Sequence, residues 1–143
     1  MDRKIRVGMI GGGTGAFIGA IHRIALSMDG HYELVAGVFS ADESKSKETG
    51  KQLFLDPQRI YASYQTMLEE EAALPATVRI DVVVIVTPNH LHFDPAFQAL
   101  SKGFHVILEK PITFSLAEAR LLHKKKIETG KQLLLCHTYT GYP

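Results

Sequence analysis

The sequence predicts an α/β fold, a doubly wound parallel sheet of about six strands in the order 3-2-1-4-5-6. Three observations carry this. Short β-rich runs alternate with helix-patterned stretches along the whole chain, as βαβ units with right-handed crossovers require. The run DVVVIV at residues 81–86 is apolar on both faces, as expected of a central strand covered by helices. Five glycines (Gly11, Gly12, Gly13, Gly15, Gly19) crowd the junction between the first strand-like run and the first helix-like one. Glycine weakens regular structure, so such a cluster marks a place where something approaches the backbone closely.

Taken in order, strands are expected at 5–10, 33–39, 82–86, 105–108 and 132–136, with a weaker one at 59–61. Helices are expected at 16–28, 41–53, 64–71, 93–102 and 116–129. SADE at 40–43 and SLAE at 115–118 match the capping box, which would make Ser40 and Ser115 N-caps. Gly103 and Gly130 fall where a helix C-cap glycine belongs. The runs EEE (69–71) and KKK (124–126) read as solvated helix faces.

At 143 residues, with no repeat or linker, the chain reads as one domain over residues 1–143. A net charge of +1 argues against the clustered basic face that a nucleic-acid partner needs. No apolar run approaches the roughly 18 residues that span a bilayer, and the N-terminus is too short and charged for a signal peptide. The single cysteine, Cys136, excludes an internal disulfide and fits a reducing compartment. A cytoplasmic protein without nucleic-acid or membrane partners is expected. His90 and His92 form H-x-H without a Cys or carboxylate at ligand spacing, so no metal is expected. Cys136, in LLLC, reads as a buried small hydrophobe.

In such a sheet, ligands bind at the C-terminal strand edges where the order reverses beside the first strand. Gly11 and Gly13 immediately follow that strand. One glycine would allow the turn, and the other would let a pyrophosphate touch the backbone. The next helix would present its free N–H groups. Thr14 and Gly15 complete the candidate loop, and Gly15 and Gly19 lie four apart, as on one close-packed helix face. A P-loop is excluded, because no Gly-Lys-Ser/Thr follows. A flexible turn and a methyltransferase glycine loop remain open from these residues alone.

The other strand ends narrow the choice. VTPNHLH (86–92), GFHVILEKP (103–111) and GAIHR (19–23), with the glycine loop, resemble the Gfo/Idh/MocA oxidoreductases along essentially the whole chain. The family includes glucose–fructose oxidoreductase and inositol dehydrogenase. The resemblance implies a Rossmann domain binding NAD or NADP, with Gly11 and Gly13 as loop glycines and Gly19 with His22 as the GxxH pair. Thr87, Pro88, Asn89 and His92 would line the cofactor path. Glu109 and Lys110 would lie near the nicotinamide ribose, with Lys110 facing substrate as the catalytic residue. About three residues are inserted between Gly13 and Gly19 relative to the commoner pattern, which leaves open which amides hold the phosphates. The resemblance also implies a second, substrate-binding and oligomer-forming α/β domain absent from this chain, and a homo-oligomeric parent. That parent would transfer hydride between nicotinamide and a hydroxyl or carbonyl carbon of a sugar, inositol or related polyol. The alternative is a non-catalytic dinucleotide sensor, which has no need of Lys110. A methyltransferase gives no reason for EKP.

The residues speak to Lys110 independently. Pro111 pushes it towards an extended conformation, and Glu109 beside it favours the ammonium. Lys110 is therefore expected as an orienting donor and relay participant. The Lys110–Pro111 bond is a candidate for cis. At the end of the second strand, Ser40 replaces the acidic residue usual for NAD. Lys45 and Lys47 follow, which leans towards NADP, while Asp42 remains within reach of a ribose. His137 and Tyr139, after the last strand, are either substrate-facing or part of a frayed end.

Overall fold

The computed structural model describes residues 3–141, the side chains of 138 and 139 excepted. Five strands, β1 (Ile5–Gly11), β2 (Tyr32–Val38), β3 (Val82–Val86), β4 (His105–Leu108) and β5 (Leu133–Leu135), form one parallel sheet in the order β2-β1-β3-β4-β5. Five helices connect and cover them: α1 (Phe17–Ser27), α2 (Glu43–Gln52), α3 (Tyr64–Ala73), α4 (Phe93–Ser101) and α5 (Leu116–Thr129).

The weak strand expected at 59–61 contracts to a single parallel bridge between Ile60 and Gly37. It flanks β2, where the expected six-strand order places its third strand. The contraction has a local cause. Asp56 caps a 3-10 turn at Pro57–Arg59, and Ser63 caps α3. Only three residues lie free between those two structures, too few for a ladder.

Hydrophobic cores lie on both sides of the sheet. Val83 and Ile85 pack with Met67, Leu68, Leu100, Phe104 and Leu122 from the α3, α4 and α5 side. Val82, Val84 and Val86 pack with Val7, Met9 and Phe39, and Ile18 and Leu26 of α1 close over them. β3 is thus buried on both faces, as DVVVIV predicts. The outer face of α1 keeps an exposed apolar stripe of Phe17, Ile21, Ile24 and Met28.

The helix ends hold one correction. Ser115 and Glu118 form the expected reciprocal capping box, and Gly130 closes α5 in the left-handed region at φ 66°. At α2, however, the N-cap is Asp42 and not Ser40. The Asp42 carboxylate reaches the amides of Ser44 and Lys45 at 2.9 and 3.2 Å. Ser40 instead accepts the Asp42 N–H at 3.1 Å.

Glu71 is a second correction, because it is fully buried and not part of a solvated face. Arg59 donates to it through Nε and Nη2 at 2.9 and 2.6 Å. The Tyr61 hydroxyl and the Ile80 amide each donate at 3.0 Å. Burial and the neighbouring Glu71 carboxylate push the Tyr61 hydroxyl well above its ordinary value. A buried carboxylate is tolerated here because four donors replace its water. Cys136 is half-buried and lies just past β5. Among the described residues no helix is long and apolar enough to cross a membrane.

Candidate functional site

A cleft of about 1110 Å³ opens at the C-terminal ends of β1, β2 and β3. This is the point at which the strand order reverses, where a doubly wound sheet leaves its crevice. Gly11 to Thr14, Phe39 to Ala41, Ala62 to Gln65 and Val86 to Pro88 form its walls.

The glycine loop is shaped mainly by backbone contacts. Gly11 and Gly12 adopt φ values of 86° and 72°, which admit the sharp exit from β1. A Cβ on Gly19 would lie 2.4 Å from the Gly12 Cα, so α1 rests directly on the loop. Gly13 donates its amide to the Phe39 carbonyl at 3.1 Å, locking the loop to the end of β2. Thr14 donates its amide to Thr49 Oγ1 at 3.2 Å, and its hydroxyl meets Gln52 Oε1 at 3.0 Å. The Ala16 amide returns to the Gly13 carbonyl at 2.9 Å. Three loop amides are therefore already committed within the protein. Gly15 precedes α1 with open space around it, so it does not share the packed helix face of Gly19.

The first turn of α1 is different. Ala16 is its N-cap, no side chain caps it, and no acidic residue occupies the turn. The orphan N–H groups of a helix start therefore have no side-chain acceptor, which leaves them for an anion. Behind the loop, Arg23 Nη1 donates to the Gly12 carbonyl at 2.6 Å. Burial pulls the Arg23 guanidinium below its ordinary value. Sequence reasoning missed Arg23, whose only signal was its place in GAIHR.

At the end of β2, Ser40, Lys45 and Glu48 line the cleft. The Asp42 carboxylate is committed to its own helix, and Lys47 pairs with Glu43 at 2.6 Å on an exposed face. Across the mouth, the Tyr64 hydroxyl donates to Asp94. Burial and that carboxylate push Tyr64 up to about 12.

The two remaining strand ends build a second cluster beside the cleft. Thr87 and Pro88 line the cleft, while Asn89 opens an exposed 3-10 turn, Asn89–Leu91. His92 is fully buried. Its Nδ1 faces the Pro111 carbonyl at 2.7 Å and its Nε2 faces the Thr87 carbonyl at 3.0 Å. After β4, the buried Glu109 places Oε1 at 2.9 Å from His22 Nε2. Its Oε2 accepts the Lys110 amide at 3.2 Å. Lys110 itself is exposed, and the Lys110–Pro111 bond is cis.

His22, Glu109 and Cys136 bring one potential metal-ligand atom each within 4.8 Å of one another. Both Glu109 oxygens already have partners. Burial and Glu109 push the Cys136 thiol up. His90 and His92 do not join this group. His137 is exposed, and the Tyr139 side chain lies outside the described residues.

The model of an oxidoreductase family with an NAD-binding Rossmann fold matches residues 5–137. The uncharacterized oxidoreductase YfiI of Bacillus subtilis is 37% identical over 142 residues, covering 99% of this chain and 36% of that protein. The crystal structure of an oxidoreductase from Sinorhizobium meliloti superimposes with a TM-score of 0.91 at 48% identity, over 99% of this chain and 39% of that one. An inositol dehydrogenase homolog from Azotobacter vinelandii, complexed with NADH and myo-inositol, gives a TM-score of 0.94 at 40% identity, over 99% and 37%. The chain thus spans little more than a third of the length of the relatives it matches.

Proposed function

The chain belongs to the Gfo/Idh/MocA oxidoreductase family, with its NAD-binding Rossmann fold, and from that premise we propose that it is the dinucleotide-binding domain of a polyol or sugar dehydrogenase. The observation that carries this reading is the cleft at the switch point, with the uncapped start of α1 beside it. The dinucleotide would lay its pyrophosphate against the Gly11–Gly13 backbone and the first-turn amides of α1. This reading makes α1, and not the committed amides of Gly13 and Thr14, the phosphate donor that the three-residue insertion left open. Thr87 and Pro88 flank the cofactor path, with Asn89 at its rim. Bound nicotinamide supplies the hydride chemistry at its C4.

Lys110 is the residue of this chain that meets substrate. Its ammonium donates to the oxygen on the reacting carbon, which orients that carbon and favours negative charge developing on the oxygen. Glu109 holds the turn on which Lys110 stands.

NADP is preferred in this reading. Asp42, the carboxylate nearest Ser40 in the chain, is held as the cap of α2, and Lys45 lines the cleft there together with Glu48. Ser40 brings no charge to the strand end to repel a 2′-phosphate, and Lys45 attracts one. A second domain completes the substrate pocket and the homo-oligomer, in a cytoplasmic protein without nucleic-acid or membrane partners. The test is turnover of an inositol or aldose panel by the full-length oxidoreductase and its Lys110→Ala variant. Loss of turnover with dinucleotide binding retained supports the enzyme. Intact turnover removes Lys110 from the chemistry, and a panel without any turnover favours a dinucleotide sensor.

A further inference from the structure

Lys110 stands on a turn whose neighbours on both sides are held by histidines. On one side His22, from α1, meets the Glu109 carboxylate at 2.9 Å. On the other, His92 meets the Pro111 carbonyl at 2.7 Å. We propose that His22 and His92 are positioning residues that fix the backbone on either side of Lys110 while leaving its side chain exposed. The proposal rests on the reading of Lys110 given above and goes beyond it in naming what holds the lysine.

The environment of His92 argues that it is there for its polar atoms. It is fully buried, and a buried imidazole nitrogen without a partner is costly. Each ring nitrogen faces a carbonyl, which can only accept, so each contact is a hydrogen bond when that nitrogen carries its proton. The two carbonyls belong to different segments, Thr87 after β3 and Pro111 after β4. A neutral imidazole carries one N–H and donates to one of the two at a time, whereas an apolar side chain of similar volume would fill the space and offer neither carbonyl a donor.

His22 has the complementary role. Its partner Glu109 is buried, and the second Glu109 oxygen accepts the Lys110 amide. Removing the imidazole frees the carboxylate that holds that amide.

Both histidines also connect the turn to the cleft. Thr87 lines the cleft wall. His22 belongs to the helix that presses Gly19 onto Gly12. The lysine turn is therefore tied to the glycine loop through α1 and to the cleft wall through His92. Fixing the turn before substrate arrives lowers the ordering cost at the reacting centre.

The test is amide hydrogen exchange by NMR on this chain, comparing Lys110 with the central-sheet residue Val84, alongside an NADPH titration. The variants are His22→Ala, His22→Gln and His92→Ala. In each alanine variant the Lys110 amide should exchange at least about tenfold faster while Val84 stays protected, which separates local release from global opening. His22→Gln keeps an N–H for Glu109 and should return Lys110 to within about threefold of wild type. An unchanged Lys110 amide in either alanine variant overturns the role of that histidine. So does a His22→Gln variant no better than His22→Ala. Loss of Val84 protection in His92→Ala as well would show that His92 supports the whole sheet, and would overturn its role as a positioning residue for the turn. If the wild-type chain binds no NADPH while the variants show these exchange changes, the proposed function is refuted and the positioning role stands.

Discussion

Replacing Gly19 by alanine tests the packing that shapes the cofactor loop. The added methyl would lie 2.4 Å from the Gly12 Cα, 2.7 Å from its carbonyl oxygen and 2.9 Å from its carbonyl carbon. Carbon atoms in good contact sit about 3.5–4.0 Å apart, so α1 and the loop must part by about 1 Å. All three neighbours are backbone, and no rotamer change relieves them. Overpacking of this kind costs about 1–3 kcal/mol, with rigid backbone towards the upper end. Alanine recovers up to about 1 kcal/mol of helix propensity. The net expectation is a loss of about 1–2 kcal/mol in urea denaturation. The same displacement carries Gly12 away from Arg23 and shifts the loop against its ligand. Dinucleotide affinity, read by calorimetric titration, should fall at least about tenfold. A Gly19→Ala chain with unchanged midpoint and affinity would refute the reasoning.

Other consequences follow from the same contacts. Glu71→Gln removes the charge that pairs Arg59 and leaves one acceptor oxygen where two served four donors. It should cost about 3 kcal/mol in denaturant unfolding, and a cost below about 1 would show that the network relaxes. Ser115→Ala breaks the capping box of α5 and should cost about 1 kcal/mol, visible in the same assay. Tyr61 and Tyr64 keep their protons in the fold above the unfolded value of about 10. Because the unfolded chain then binds fewer protons, stability should fall as pH rises from about 10 towards about 12. Tyr64→Phe should flatten that limb in pH-dependent denaturation. Lys45→Ala should weaken NADPH more than NADH in a parallel titration, and an equal loss for both would place Lys45 away from the 2′-phosphate.

The parts of the fold that were legible in the sequence are those set by periodicity and by local caps. β3 and β4 were expected with the bounds they have, because an apolar run between turn residues has one way to be buried. Ser115 and Glu118 cap α5 as their spacing requires. Ser40 misled because two caps compete within SADE, and Asp42 lies one residue before the helix while Ser40 lies three before it. The strand at 59–61 shrank because its flanks are capped turns, which a β-propensity reading does not weigh. Glu71 was illegible for a more general reason. Its charge reads as solvent-facing until tertiary structure brings Arg59, Tyr61 and Ile80 around it. His92 was expected to line the cofactor path, and its two carbonyl partners come from segments that only the sheet brings together. The glycines carried the clearest signal, although Gly15 turned out to serve the loop and Gly19 alone the helix contact.

The most direct test of the central claim is a calorimetric titration of this chain with NADPH and NADH at fixed salt. One dinucleotide should bind per chain, with NADPH tighter and the two competing for the same cleft. Tighter NADH would overturn the role given to Ser40 and Lys45. Binding of neither would contradict the assignment of the cleft.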